Sequence, residues 1–129
     1  MLIAVDFDGT CVDHRFPEIG PDAPGCSFWL KNWVECDARL VLWTVRSNGQ
    51  KHGNVLDDAL RWFLGHGIEL YGVNENPQQK SWSTSPKAYC QLYVDDAAFG
   101  CPLIKPEGFV RPCVDWKIVG PTVLGRIVG

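Results

Sequence analysis

Met1-Leu2-Ile3-Ala4-Val5-Asp6-Phe7-Asp8-Gly9-Thr10 opens the chain, and its reading decides the fold. Leu2–Val5 is a short apolar run with the length of a buried strand, and Gly9 marks a turn directly after it. Strand alternation sends the side chains of Asp6 and Asp8 to the same side of the backbone. Two carboxylates held together where a buried strand ends repel each other. A bound divalent cation, or a proton on one of them, relieves that repulsion. Gly9 permits a sharp turn and Thr10 adds a hydroxyl at the same spot. In isolation D-x-D-G is equally well a strand followed by an Asp-Gly turn. What the rest of the chain brings to this strand end separates the two readings.

Outward from this stretch, strands and helices alternate. Val12–Pro24 is rich in Pro, Gly and charge and predicts an irregular loop. Ser27 is placed to cap a helix over Phe28–Cys36, whose buried stripe is Trp29, Leu30 and Trp33, with Cys26 beside them. Arg39–Trp43 predicts a second buried strand that ends in Thr44. Asn54–Leu64 carries Leu56, Ala59, Leu60 and Phe63 at helical spacing, and Gly65 and Gly67 stop the helix. Ile68–Tyr71 predicts a third strand, Gln91–Val94 a fourth ending in Asp95-Asp96, and Leu103-Ile104 a short fifth. Asp115 can cap a last helix over Trp116–Leu124, which Pro121 kinks or ends early. Strands spaced by amphipathic helices imply βαβ units, a parallel sheet and an α/β fold. Ligands of such sheets lie beyond the carboxyl ends of the strands, where Asp6, Asp8, Thr10, Thr44, Asp95 and Asp96 all fall.

Composition narrows the class. The 129 residues, 46% hydrophobic and 21% charged, predict one globular domain spanning 1–129. A formal net charge of −3 argues against a protein that coats nucleic acid, while leaving room for a groove that takes a phosphorylated end. The six cysteines form no C-x-x-C pair and read as reduced thiols of a cytoplasmic protein, mostly core filler. Cys11, beside the carboxylates, is the one expected to be open to oxidation or alkylation. His14, His52 and His66 have no metal-ligand spacing. Met1 leads directly into a strand, so no targeting segment is expected, and no apolar run approaches the ~18 residues of a membrane span. Trp29, Trp33 and Trp62 fall on helices and read as packing, and Trp43 as core. Trp82 lies in a polar loop, where it either stacks on a substrate or packs on the surface.

The residues gathered at the sheet edge have a plain electrostatic meaning. Four carboxylates call for a hard cation, and Mg²⁺ held by one or two of them plus substrate oxygens fits best. A lysine and hydroxyls then suit an anion such as phosphate. Lys87, eight positions before Asp95, is the lysine expected to fold back over the strand end, with Lys80 as its competitor.

D-F-D-G-T at 6–10, the strand-terminal Thr44, Lys87 and Asp95-Asp96, in that chain order, resemble the four motifs of the haloacid dehalogenase (HAD) superfamily. The resemblance runs from Met1 to about Phe99. It implies a three-layer α/β/α Rossmann-like core around a mainly parallel sheet. It also implies a Mg²⁺-dependent phosphatase that works through an aspartyl-phosphate. Asp6 would be the nucleophile, and Asp8 the general acid and then the base. The Asp6 carboxylate, the Asp8 backbone carbonyl and Asp95 would bind the metal. Asp96 would support it through water or orient Lys87. Thr44 would hydrogen-bond a phosphoryl oxygen and Lys87 would balance its charge. Gly9 and Thr10 would sit at the phosphate, and Arg46 and Ser47 either line the leaving-group side or form a surface loop. Positions 11–43 and 45–86 are consumed by the predicted elements, so neither holds a cap domain. An open site of this kind suits a macromolecular phosphorylated substrate, or one covered by neighbouring copies of a homo-oligomer. The loop Gly72–Pro86 is a candidate for such contacts. Phosphoryl transfer to an acceptor other than water, and a non-catalytic phosphate- or protein-binding module, are the rival functions.

Overall fold

Leu2–Val5 forms strand β1 of the computed structural model, which describes residues 1–129, and all four of its residues are buried. Next in the chain come α1 (Cys26–Glu35), β2 (Arg39–Leu42), α2 (Val55–Gly65), β3 (Gly72–Val73) and β4 (Leu92–Val94). The chain closes with β5 (Leu103–Ile104), β6 (Cys113–Val114) and α3 (Trp116–Val128). The fold is α/β, with a four-stranded parallel sheet in the order β3-β2-β1-β4, compatible with a Rossmann-like architecture. The order reverses between β1 and β4, which is where such sheets open a crevice for ligands. Asp6 and Asp95 follow the last residues of those two strands.

The period-2 alternation of β1 divides the core. Ile3, Val5 and Phe7 face all three helices and share one cluster with Trp33 of α1, Phe63 of α2 and Trp116 of α3. Leu2 and Ala4 face the other way and pack with Val41 and Cys90. That second face is therefore covered by the segment before β4, which contains a 3-10 turn at Gln79–Ser81 and no α-helix. Of the helix tryptophans expected to pack, Trp33 and Trp62 are buried with their N–H groups satisfied, as is Trp116, while Trp29 is only partly buried. Trp33 Nε1 donates to Gly120 O at 3.0 Å, Trp116 Nε1 to Thr10 O at 2.8 Å, and Trp62 Nε1 to Asp22 at 2.8 Å.

Several boundaries differ from the sequence reading. Helix α1 starts at Cys26, behind Gly25 at φ +82°, so Ser27 lies inside the helix and caps nothing. The orphan N–H groups of Leu56 and Asp57 in α2 are met by Asn48 Oδ1, 3.1 Å from each, a cap from the loop before the helix. Ile68–Tyr71 is not the third strand. Gly67 at φ +69° turns the chain so that the Ile68 N–H closes on Phe63 O, and Ile68 fills the core instead. Ladder bonding begins with Tyr71 N–H to Leu40 O, which shifts β3 to Gly72–Val73. Leu103-Ile104 leaves the parallel sheet and pairs antiparallel with β6, a strand the sequence reading missed. Helix α3 continues through Pro121 to Val128. Pro121 and Lys117, whose carbonyl loses its partner, both lie on the solvent side, where water satisfies the freed group. No helix is long and apolar enough to cross a membrane.

The loop after β1 is tied to the tail by Asp13. Its carboxylate is buried and accepts from the N–H groups of Val110 (2.8 Å), Arg111 (3.3 Å) and His14 (2.8 Å) and from Arg15 Nε (3.2 Å). Burial opposes ionisation of Asp13, but these donors outweigh it and hold its carboxyl below the usual range.

Candidate functional site

Asp6 leaves β1 with its N–H bonded to Val94 O at 3.0 Å, so the end of β1 is stitched to the end of β4. That pairing brings Asp6, Asp95 and Asp96 together, with one carboxylate oxygen from each within 4.8 Å of the others. Asp6 and Asp95 of this cluster line a cleft of about 310 Å³, together with Trp43, Thr44, Val45 and Asn74. Burial first, and then the charge of Asp95 with that of Asp96, push the Asp6 carboxyl up to about 8. Burial likewise raises Asp95, with Asp96 adding to it against a hydrogen bond from Ala97 N–H. Three carboxylates this close could hold a metal ion.

Thr10 is fully buried and belongs to the support of this cluster, not to a substrate surface. Its hydroxyl donates to Asp6 Oδ2 at 3.1 Å and accepts from Asp96 N–H at 3.2 Å. His14, which metal-ligand spacing passed over, donates from Nε2 to Asp96 Oδ2 at 2.8 Å, since a carboxylate can only accept. Gly9, at φ +87°, runs beneath this pair: a Cβ there would overlap His14 Nε2 and the Asp96 carboxylate. Gly9→Ala is therefore expected to combine left-handed strain with displacement of His14 and Asp96. The loss should be about 1–3 kcal/mol, read as a lower urea midpoint. A midpoint equal to that of the wild type would contradict the placement. Cys11 lies under Asp6, its thiol donating to the Asp6 carbonyl at 3.4 Å. It is wholly buried, and burial raises the thiol well above its ordinary value, so the expected reactivity is corrected to an inert core thiol.

Asp8 does not stand beside Asp6 in the carboxylate cluster. The strand ends at Val5, the chain turns at Phe7, whose carbonyl takes the N–H groups of Thr10 and Cys11, and Asp8 points to Arg46. Arg46 Nε and Nη2 donate to the two Asp8 oxygens at 2.8 Å each, a bidentate pair. The other donors go to Pro17 O, Val55 O and Glu18 O at 3.2, 3.1 and 2.9 Å. The guanidinium lies between the rings of Phe7 and Phe16, 5.1 and 5.2 Å from their centres. Only 1% exposed, with all five donors engaged, Arg46 has none left for a substrate and acts on Asp8 instead. Ser47 is exposed and outside the cleft.

Thr44 stands where the sequence placed it. Its N–H donates to Asn74 Oδ1 at 2.8 Å and its Oγ1 accepts from Arg46 N–H at 3.1 Å, which leaves the hydroxyl hydrogen free at the cleft. Trp43, expected in the core, is half-exposed and forms a cleft wall. Asn74, which no motif singled out, joins the cleft from β3 in a left-handed conformation at φ +54° that asparagine tolerates. Lys87 is not brought to the carboxylates. Its ammonium lies over the Tyr93 ring, 5.6 Å from the centre, and makes no ion pair. Lys80 pairs with Glu75 at 3.7 Å on the surface. Trp82 sits edge-on to Tyr89 at 5.7 Å, outside the cleft.

No family model matches this chain, and no curated protein does. A solved structure of a conserved protein coded by a locus from Bacteroides thetaiotaomicron is similar to it, with a TM-score of 0.74 and 33% sequence identity. The match covers 98% of this chain and 91% of that one. Sequence and fold therefore agree over nearly the whole length of both, and the chain belongs to the same family as this conserved Bacteroides protein.

Proposed function

We propose that the protein is a Mg²⁺-dependent phosphomonoesterase of the haloacid dehalogenase type, working through an aspartyl-phosphate on Asp6. The observation that carries this reading is the convergence of Asp6, Asp95 and Asp96 at the switch point of the parallel sheet, beside the free hydroxyl of Thr44. We read the fold as a capless core whose third layer is reduced to the segment before β4, leaving the cleft open to substrate.

In this scheme Asp6, Asp95 and the Asp8 carbonyl would hold the cation, with Asp96 oriented by His14 and Thr10. A Mg²⁺ held there would lower the repulsion between a carboxylate and a phosphoryl group. An Asp6 oxygen forms a bond to phosphorus as the ester P–O bond breaks, and Asp8, after taking a proton from solvent, delivers it to the departing oxygen. Asp8 then takes a proton from the water that cleaves the acyl phosphate, releasing phosphate and restoring Asp6. Arg46 fixes the plane of the Asp8 carboxyl for both transfers. Thr44 donates to a phosphoryl oxygen, and Lys87 would have to leave the Tyr93 ring to balance charge there. The bidentate clamp on Asp8 is also what favours the rival, a non-catalytic phosphate-binding module, because it occupies both Asp8 oxygens.

The two separate on p-nitrophenyl phosphate and a panel of alkyl phosphates, assayed with Mg²⁺ and with EDTA. The phosphatase reading expects phosphate release that EDTA abolishes and added Mg²⁺ restores. Phosphate binding without release of any product would leave the module reading in place. Release only in the presence of acceptor alcohols would identify a phosphotransferase.

A further inference from the structure

We propose that the polar recess formed by residues 74–88 is the subsite for the non-phosphoryl part of the substrate, and that this part is an uncharged polyhydroxylated group, as in a sugar or polyol phosphate. The inference rests on the phosphatase reading above and names its substrate class. The recess encloses about 580 Å³, within the roughly 300–1,000 Å³ typical of small-molecule pockets. Asn74 belongs to its wall and to the wall of the carboxylate cleft, so the two spaces are neighbours across that residue. On this proposal, a ligand whose phosphate lies at Asp6 and Thr44 reaches the recess by passing Asn74.

The shape of the recess is preformed by two buried amides whose hydrogen bonds tie its walls together. Gln79 Nε2 donates to Lys87 O at 2.9 Å and Ser85 O at 3.4 Å, while its Oε1 accepts from Tyr89 N–H at 2.7 Å. Asn76 Nδ2 donates to Tyr89 O at 3.2 Å and its Oδ1 accepts from Gln78 N–H at 3.2 Å. Gly72 lets the turn pack closely, since a Cβ there would overlap Glu75 O. On this rigid frame the remaining polar groups are unspent. Ser83 and Ser85 accept backbone N–H groups through Oγ, which leaves their hydroxyl hydrogens to donate. Thr84 takes no part in the web, and the Asn74 amide nitrogen keeps both of its hydrogens, because only its oxygen is used.

The chemistry of that lining selects the ligand. Alanine and proline are its only apolar side chains, and no aromatic ring lines it, so it offers nothing to stack a base. Its one cation, Lys80, pairs with Glu75, so neither charge is left over to select a charged leaving group. A row of donors and acceptors without net charge matches the hydroxyls of a sugar.

The test compares kcat/KM for glucose 6-phosphate and a series of sugar and polyol phosphates of three to six carbons with that for methyl phosphate, which cannot reach past Asn74. At least one member of the series is expected to exceed methyl phosphate tenfold or more. Thr84→Trp, at an exposed position without a hydrogen bond to lose, fills the recess and is expected to lower that ratio at least tenfold. A ratio near one across the series, or one that Thr84→Trp leaves unchanged, overturns the proposal. Absence of turnover on every ester overturns the phosphatase reading instead. The recess is then judged by titrating glucose 6-phosphate, with inorganic phosphate as reference, into Asp6→Asn. Amide NMR shifts at Ser83, Thr84 and Ser85 that phosphate alone does not cause sustain it, and their absence overturns it.

Discussion

Asp6→Asn is expected to abolish turnover, by at least about 10³-fold, and at the same time to make the metal-free protein more stable at pH 8. The first effect follows from removing the nucleophile, and the second from removing a charge. In the folded chain burial and the neighbouring Asp95 and Asp96 push Asp6 up to about 8, whereas unfolded it titrates near 3.8. Between those two values the folded state holds a proton that the unfolded state has released. By linkage, stability then falls as pH rises through this window. The contribution is complete below 3.8, where both states are protonated, and gone above about 8, where both are ionised. The asparagine has no proton to lose, so wild type and variant diverge with rising pH and differ most at its upper end. Thermal melts in EDTA from pH 5 to pH 9 read this directly.

A cation does for the wild type what the substitution does for the variant. Mg²⁺ is expected to raise the wild-type Tm more at pH 8 than at pH 5.5, and to act much less on Asp6→Asn. At a hundredfold excess over Kd, binding contributes about 2.7 kcal/mol, or roughly 10 °C for a domain of this size. A variant that loses activity together with stability would mean that Asp6 supports the fold without being crowded by like charge.

Arg46→Met is expected to cost about 3–5 kcal/mol, because it strands a partly buried carboxylate, with a Tm lower by roughly 10–20 °C. Methionine fills much of the space between Phe7 and Phe16. It returns no donor to Asp8, Pro17 O, Glu18 O or Val55 O. Arg46→Lys keeps the charge but not the fork, so it should also be clearly destabilising. Adding Asp8→Ala to Arg46→Met should cost less than the sum of the two single changes, since the second removes a charge already stranded. Urea denaturation of the four proteins closes that cycle. Additive costs would show that the Arg46 contribution comes from the three carbonyls alone.

The frame of the molecule was legible because it depends on local pattern. The apolar run at 2–5, the helical spacing of Ala59 and Phe63 and the Asp115 cap each act within a few residues of themselves, and each appears where its pattern puts it. Boundaries failed where a distant group or a turn intervened. Asn48 caps α2 from outside it, and the left-handed turn at Gly67 takes Ile68 out of its ladder.

At the site the sequence by itself determined which strand ends carry carboxylates: Asp6 after β1, and Asp95-Asp96 after β4. Parallel pairing of those strands makes their meeting unavoidable, which is why three of the four expected carboxylates converge. Only the tertiary structure decided that Asp8 turns away to Arg46, that His14 holds Asp96, and that Asn74 lines both the cleft and a second recess. Strand alternation governs a side chain only while the strand lasts, and this one ends before Asp6. Beyond that point direction is set by turns and by partners distant in the chain, such as Arg46, 38 positions from Asp8. No spacing rule within a motif contains them.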